Sequence, residues 1–389
     1  MITTRRDLQA FCGRLGGQDT IALDTEFVSE DTYRPQLCLI QVAVSGQLAV
    51  IDTLAVGDVT PFWEALVSGE HETIVHAGRE EVSFCIEAAG RPPRDLFDVQ
   101  LAAGLVGLEY PASYGSLMSR LLGRTLHKRE TRTDWRRRPL SAHQIEYALD
   151  DVRDLQALRD ELFQRLEQMH RLAWLRDETA RWLADLQDQR EQARWRRVSG
   201  SGNLSSRELA VLRELWRWRD QEAQRRNQPV RRVLRDDLMV ELAKRRSADP
   251  KQISAVRGLD RPDLRRTLPG LSAAILAGLK LPDEQCPKVI RRETNSHLNT
   301  VAQFLASALA SICRTAKVAP SIVGSAQDVR DLIAYRLGEE KPDQPPLLAE
   351  GWRAEVVGHL LEEVLQGRMA IRIRDPRSEE PLVFESREG

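Results

Sequence analysis

At 389 residues the chain is too long for one ordinary domain and points to two or three. An apolar share of 42% allows a sizeable core, while five scattered cysteines without Cys-x-x-Cys spacing and no apolar run of membrane-span length speak against a disulfide framework, a zinc module and a membrane helix. The net charge of −1 conceals an asymmetry: residues 1–100 hold 7 basic and 16 acidic side chains, residues 201–300 hold 21 and 13, so the later part suits an anionic partner unless its arginines only solvate helical faces.

Residues 1–7 lack the apolar stretch of a signal peptide, so cytoplasmic residence is expected. Ile21 to Phe27 reads as a buried strand. Leu37 to Val44 and Gly46 to Asp52 read as the second and third strands of an antiparallel meander, and Glu72 to Ala77 as a further short strand. This mixture, interleaved with helical patterns, predicts a mixed α/β sheet. From about Pro111 the pattern turns helical, and residues 143–198 keep helical spacing without a proline. Ser199 to Ser206 is polar and uncharged and reads as a flexible linker. Ser205 and Glu208 have capping-box spacing, so a helix is expected to start there. Leu209, Leu212, Leu215, Trp216, Leu234, Leu238 and Leu242 mark a compact helical segment that runs to about Pro287. A second helical segment covers roughly 289–370, with a loop at 338–346, and Met369 to Ile373 alternates like a short strand.

The chemistry is concentrated in carboxylates. Asp24 and Glu26 close the first strand one residue apart, so their side chains share a face. Two carboxylates that close repel unless a cation neutralises them, and magnesium takes such oxygen ligands; the bland alternative is the solvated end of a strand. On a helix beginning near Gly78, Glu80 and Glu81 point in different directions, so only one faces a shared site. Tyr147 and Asp151 are four apart, on one helical face. Together Asp24, Glu26, Glu81 and Asp151 could hold two magnesium ions about 4 Å apart for in-line phosphoryl chemistry, with Tyr147 directing the attack. No Ser-His-Asp or Cys-His signature accompanies them, in keeping with a reaction that needs no covalent enzyme intermediate.

Three stretches recur in a known order and spacing. The first is Leu23-Asp24-Thr25-Glu26-Phe27, with Tyr33-Arg34-Pro35-Gln36-Leu37 behind it. The second is His76-Ala77-Gly78-Arg79-Glu80-Glu81, followed by Leu96-Phe97-Asp98. The third is Thr133-Asp134-Trp135-Arg136-Arg137-Arg138-Pro139-Leu140, leading into Tyr147-Ala148-Leu149-Asp150-Asp151. On these motifs the chain resembles the ribonuclease D family, in the tyrosine-containing branch of the DEDD 3′–5′ exonucleases, and the resemblance covers nearly its whole length. It implies an α/β nuclease domain with a ribonuclease H-like mixed sheet at 1–198, a linker at 199–206, an HRDC domain at 207–287, a second HRDC-like all-α domain at 289–375 and a tail at 376–389. It further implies a metal-dependent 3′–5′ exoribonuclease that releases nucleoside 5′-monophosphates from tRNA precursors or other structured RNA. Two divalent ions, Mg2+ or Mn2+, would be held by Asp24, Glu26, Glu81 and Asp151, with Tyr147 catalytic. No membrane and no obligate protein partner are expected.

The family normally has aspartate where this chain has Glu81, and spacing from His76 favours Glu81 over Glu80. The added methylene shifts the carboxylate by about one carbon–carbon bond, and a two-metal site is sensitive to such a shift. A non-catalytic RNA-binding protein with a decayed site is therefore one rival reading. A DNA 3′–5′ exonuclease is the other, and the helical modules argue against it. Arg129, Arg132, Arg136, Arg137 and Arg138 either grip phosphates leading to the site or pair with nearby acids such as Asp134. In the first helical module Arg231 and Arg232 belong to a basic run from Arg217 to Arg246 that could track an RNA backbone. Arg217, between Trp216 and Trp218, and Arg219, which follows them, read as solvated. Trp135 is expected as a core anchor, His76 as a satisfied histidine and Asp98 as a structural hydrogen-bonding group.

Overall fold

The computed structural model describes residues 1–125, 133–191, 194–259, 266–289, 296–338 and 345–386. Strands β1 (Thr20–Val28), β2 (Gln36–Val44), β3 (Gln47–Asp52), β4 (Glu72–Val75) and β5 (Asp95–Asp98) form one sheet in the order β3-β2-β1-β4-β5. The first three are antiparallel, and β4 and β5 continue the sheet in parallel. Ser45 and Gly46, both with positive φ, make the tight turn between β2 and β3, a conformation that matches the strand twist. The mixed sheet is as expected from the sequence; β5 is an addition. Four residues give too short an alternation to be read without the neighbouring strand that pairs with them.

One face of β1 presents Ile21 and Leu23, which pack with Val82, Cys85 and Ile86 of the Arg79–Ala89 helix. The other face presents Ala22, Asp24 and Glu26. There Ala22 packs with Phe97 and with the Val99–Leu105 and Leu155–Gln168 helices. The Ala142–Arg153 helix crosses β1, β2 and β3 on this side, with Ala148 set against Leu39 and Val50. This helix starts on a capping box formed by Ser141 and Gln144, which satisfies backbone donors at its first turn.

The first helical module contains the Ser206–Arg226, Asp236–Arg245 and Leu268–Lys280 helices around its own core of Leu212, Leu215, Met239, Leu242, Leu271 and Ile275. The Ser205–Glu208 capping box is present. The 199–206 stretch, however, is not a loose tether. Leu204 is buried in the module's core together with Val198 and Trp195, so apolar residues in and beside the polar run tie it down.

The second module, with the Ser296–Thr315, Ala326–Arg336 and His359–Leu365 helices, shows no separate core among the described residues. Leu305, Leu309, Val323 and Trp352 belong to one apolar cluster with Leu105, Leu158 and Leu162 of the α/β domain. Arg171 donates to the carbonyls of Leu105 and Lys317, and a buried Arg353–Glu178 pair at 2.5 Å crosses the same junction. Breaking one side of such a pair costs roughly 3–5 kcal/mol. After it come β6 (Met369–Ile373) and β7 (Leu382–Ser386), an antiparallel hairpin. The expected tail from 376 therefore contains a strand, because Phe384 finds Ile371 directly opposite. Of the loop expected at 338–346, residues 339–344 lie outside the described residues. No helix among the described residues is long and apolar enough to cross a membrane.

Candidate active site

Asp24 and Glu26 stand in the C-terminal half of β1, opposite Gln41 and Leu39 of β2. The register slips between Glu26 and Phe27, a bulge that bends the strand where its carboxylates leave the sheet. Tyr147 and Asp151, both half-buried, come from the Ala142–Arg153 helix on the same side. Tyr114 braces that helix from below, its phenol donating to the Asp150 carbonyl at 3.3 Å.

Glu81 arrives from the opposite face of the sheet, in the first turn of the Arg79–Ala89 helix, and is buried. Glu80 turns away from it into a cleft shared with the first helical module. The turn before the helix is tightly specified. The Asp98 carboxylate accepts from the backbone N–H groups of Ala77 and Gly78 at 3.1 and 3.0 Å, and caps the next helix by accepting from Gln100 and Leu101. A Cβ on Gly78 would sit 2.4 Å from the Val75 side chain, so only glycine allows this approach. The Thr25 hydroxyl, pointing to the helix side of β1, donates to Glu81 Oε1 at 2.5 Å.

The four carboxylates lie within one another's electrostatic reach. Burial, then the charges of Glu81, Asp151 and Glu26, hold the Asp24 carboxyl well above the usual range. Glu26 is pushed up to about 8 by burial and by Asp151 and Glu81, offset in part by a hydrogen bond from Trp135. Glu81 is pushed up to about 7 by burial, against the pull of the Thr25 hydrogen bond. A site that strains to keep its negative charge, built only from hard oxygen donors, suits magnesium or manganese. Among the described residues no three acidic, histidine or cysteine side chains stand in a ready-made ligand cage.

Of the other residues singled out, His76 contacts the Ala112 carbonyl at 3.0 Å and packs edge-on against Tyr114. Arg136 pairs with Asp134 at 2.8 Å and lies 3.9 Å from Asp31; Arg137 is largely exposed. Arg138 grips Asp52 through two nitrogens at 2.6 and 2.7 Å, so its charge is taken up inside the domain. Arg129 and Arg132 lie outside the described residues. Arg232 pairs with Asp31 of the α/β domain at 2.6 Å, and Arg231 is exposed. Arg219 is not solvated: it is buried and holds Asp236 and the Leu234 carbonyl, because its helix face turns into the module. Sequence reading missed Thr25 and the polar side of Trp135. For Thr25 the available signal was a hydroxyl at an otherwise apolar face of β1; for Trp135, an indole N–H, which needs an acceptor when buried.

Residues 1–167 match the 3′–5′ exonuclease domain family, and residues 208–275 match the HRDC domain family. The chain is 34% identical to a ribonuclease D of Gluconacetobacter diazotrophicus over 97% of its own length and 95% of that protein's. It is 35% identical to a ribonuclease D of Granulibacter bethesdensis over 92% of its own length and 90% of the other. The crystal structure of Escherichia coli RNase D, described as an exoribonuclease involved in structured RNA processing, superposes with a TM-score of 0.81 at 28% identity, covering 94% of this chain and 98% of that one. The catalytic core of RRP6 from Trypanosoma brucei shares the fold, with a TM-score of 0.52 at 22% identity over 72% of this chain and 79% of that one.

Proposed function

The chain belongs to the ribonuclease D family of 3′–5′ exoribonucleases, and from that premise we propose that Asp24, Glu26, Glu81 and Asp151 hold two divalent ions, Mg2+ or Mn2+, at which 3′-terminal nucleotides of structured RNA such as tRNA precursors are hydrolysed to nucleoside 5′-monophosphates. What supports this reading is that β1, which bears Asp24 and Glu26, is tied to Glu81 through the Thr25 hydroxyl and is crossed by the helix of Tyr147 and Asp151, so that acids from three distant segments raise one another's affinity for protons. Bound there, two ions would acidify the attacking water and neutralise the leaving oxygen.

The chain's own residues supply the rest. Asp24 and Glu26 offer ligands from β1, and Glu81 and Asp151 from the helices on its two sides. Tyr147 stands one turn from Asp151, where its phenol can align the attacking water with the scissile bond. Beside it a polar recess of about 160 Å³, lined by Thr133, Ser141, His143, Gln144 and Tyr147, leaves room for part of the terminal nucleotide. Exposed Arg137 and Arg231 are suited to phosphates farther along the strand.

The test pairs matched RNA and DNA oligonucleotides carrying free 3′ ends. Natural protein with Mg2+ or Mn2+ is expected to shorten the RNA one nucleotide at a time. Asp24→Ala is expected to lose at least about 100-fold in kcat while RNA binding persists. Equal turnover in Asp24→Ala would remove the mechanism, preference for DNA would replace the substrate, and an inert natural protein rescued by Glu81→Asp would mark a decayed site.

A further inference from the structure

Trp135 occupies a position that a core anchor alone does not require. Its ring is buried in a small cluster with Leu39, Val50 and Ala148, and lies 6.1 Å from the Tyr147 ring at a tilt of 31°. Leu39 is the cross-strand partner of Glu26, so the same ring sits beneath that carboxylate. The indole N–H acts on Glu26, favouring its ionised form. One side chain thus stands beside two groups that the reaction needs at a fixed separation, one from β1 and one from the Ala142–Arg153 helix.

The segment that carries Trp135 is itself fastened. Arg138 Nη1 donates to the Trp135 carbonyl at 2.7 Å, Nη2 reaches the Cys38 carbonyl at 3.4 Å, and the bidentate contact to Asp52 anchors the guanidinium to the end of β3. Asp52 is buried, and its own side chain also caps the short turn at Ala55. A planar fork with five donors can hold a carboxylate and two carbonyls at once, which a lysine cannot do.

We infer that Trp135 is a positioning residue of the exonuclease site, setting Glu26 and Tyr147 against each other, and that Arg138 serves to hold Trp135 in place and not to bind RNA. The inference rests on the functional reading above, since it supposes that Glu26 and Tyr147 act together. Groups that orient metal-holding side chains typically change metal affinity or activity by about 10- to 100-fold when altered.

Trp135→Phe keeps an aromatic ring in the cluster and removes the indole N–H together with part of the buried bicycle. The measurements are kcat and KM on a single-stranded oligoribonucleotide, the thermal midpoint without metal, and the Mn2+ concentration that gives half of the metal-induced thermal shift. Expected are a kcat lowered at least about tenfold, KM within about twofold, a metal-free midpoint lowered by no more than a few degrees and a higher Mn2+ requirement. Arg138→Lys is expected to show the same kcat loss at constant KM. Wild-type kcat and Mn2+ requirement in Trp135→Phe would overturn the inference, as would an Arg138→Lys variant that raises KM while kcat holds. If the natural chain releases no mononucleotide, the functional reading falls, and the Mn2+ requirement of Trp135→Phe still decides the role of Trp135.

Discussion

Glu81 carries one methylene more than the aspartate usual in its family, and the Thr25 hydroxyl takes hold of the longer side chain at Oε1. The Asp24–Glu26 pair was legible because a strand's period of two puts both on one face whatever the fold does. Thr25 was not, since its meaning depends on a partner 56 residues away. Crowding at this site has a consequence for pH. Glu26 and Glu81 titrate at about 8 and about 7 in the folded chain, against an ordinary 4.5, so between those limits the folded state binds more protons than the unfolded. Metal-free stability contributed by these groups is present at low pH and is lost as pH rises through that interval. Urea unfolding in chelator is expected to show a lower midpoint at about pH 8 than at about pH 5.5, with the drop reduced by saturating Mg2+. A metal-free midpoint that rises over the range would contradict the crowding.

At the scale of elements, Asp98 shows how a turn is made to deliver a side chain. Its carboxylate satisfies four backbone donors, two before the Arg79–Ala89 helix and two at the start of the next. The sequence suggested a structural role for Asp98 but not its reach, because the strand it closes, β5, is too short to be seen alone. Asp98→Ala removes a helix cap and leaves the buried Gly78 N–H without a partner, a cost of about 2–3 kcal/mol. Differential scanning calorimetry is expected to show the nuclease transition lowered by roughly 4–12 °C, with activity reduced further as Glu81 loses its fixed approach. An unchanged midpoint would mean that the turn holds itself. The segment at 199–206 shows the converse: its polar composition was plain, yet Leu204, with Val198 and Trp195 beside it, packs it down.

Across the whole molecule, two helical modules with similar sequence patterns are attached by different physics. The second shares one apolar core with the nuclease domain, reinforced by Arg171, the Arg353–Glu178 pair and stacked Trp174 and Trp352. The first keeps its own core and meets the nuclease loop through polar contacts, Tyr33 to Asp220 at 2.9 Å and Arg232 to Asp31 at 2.6 Å. Charge counting pointed to the first module as the basic one, but many of its arginines pair within their own helices, such as Arg217 with Glu214 and Arg225 with Glu222. Composition reports how many charges a segment has; only the fold decides how many still face outward. Whether residues 24, 26, 81 and 151 share one pair of ions is tested most directly by a crystal soaked in Mn2+ and recorded for anomalous scattering. The account predicts two strong peaks bounded by the carboxylate oxygens of Asp24, Glu26, Glu81 and Asp151; a map with no peak there, at a Mn2+ concentration that supports cleavage, would contradict it.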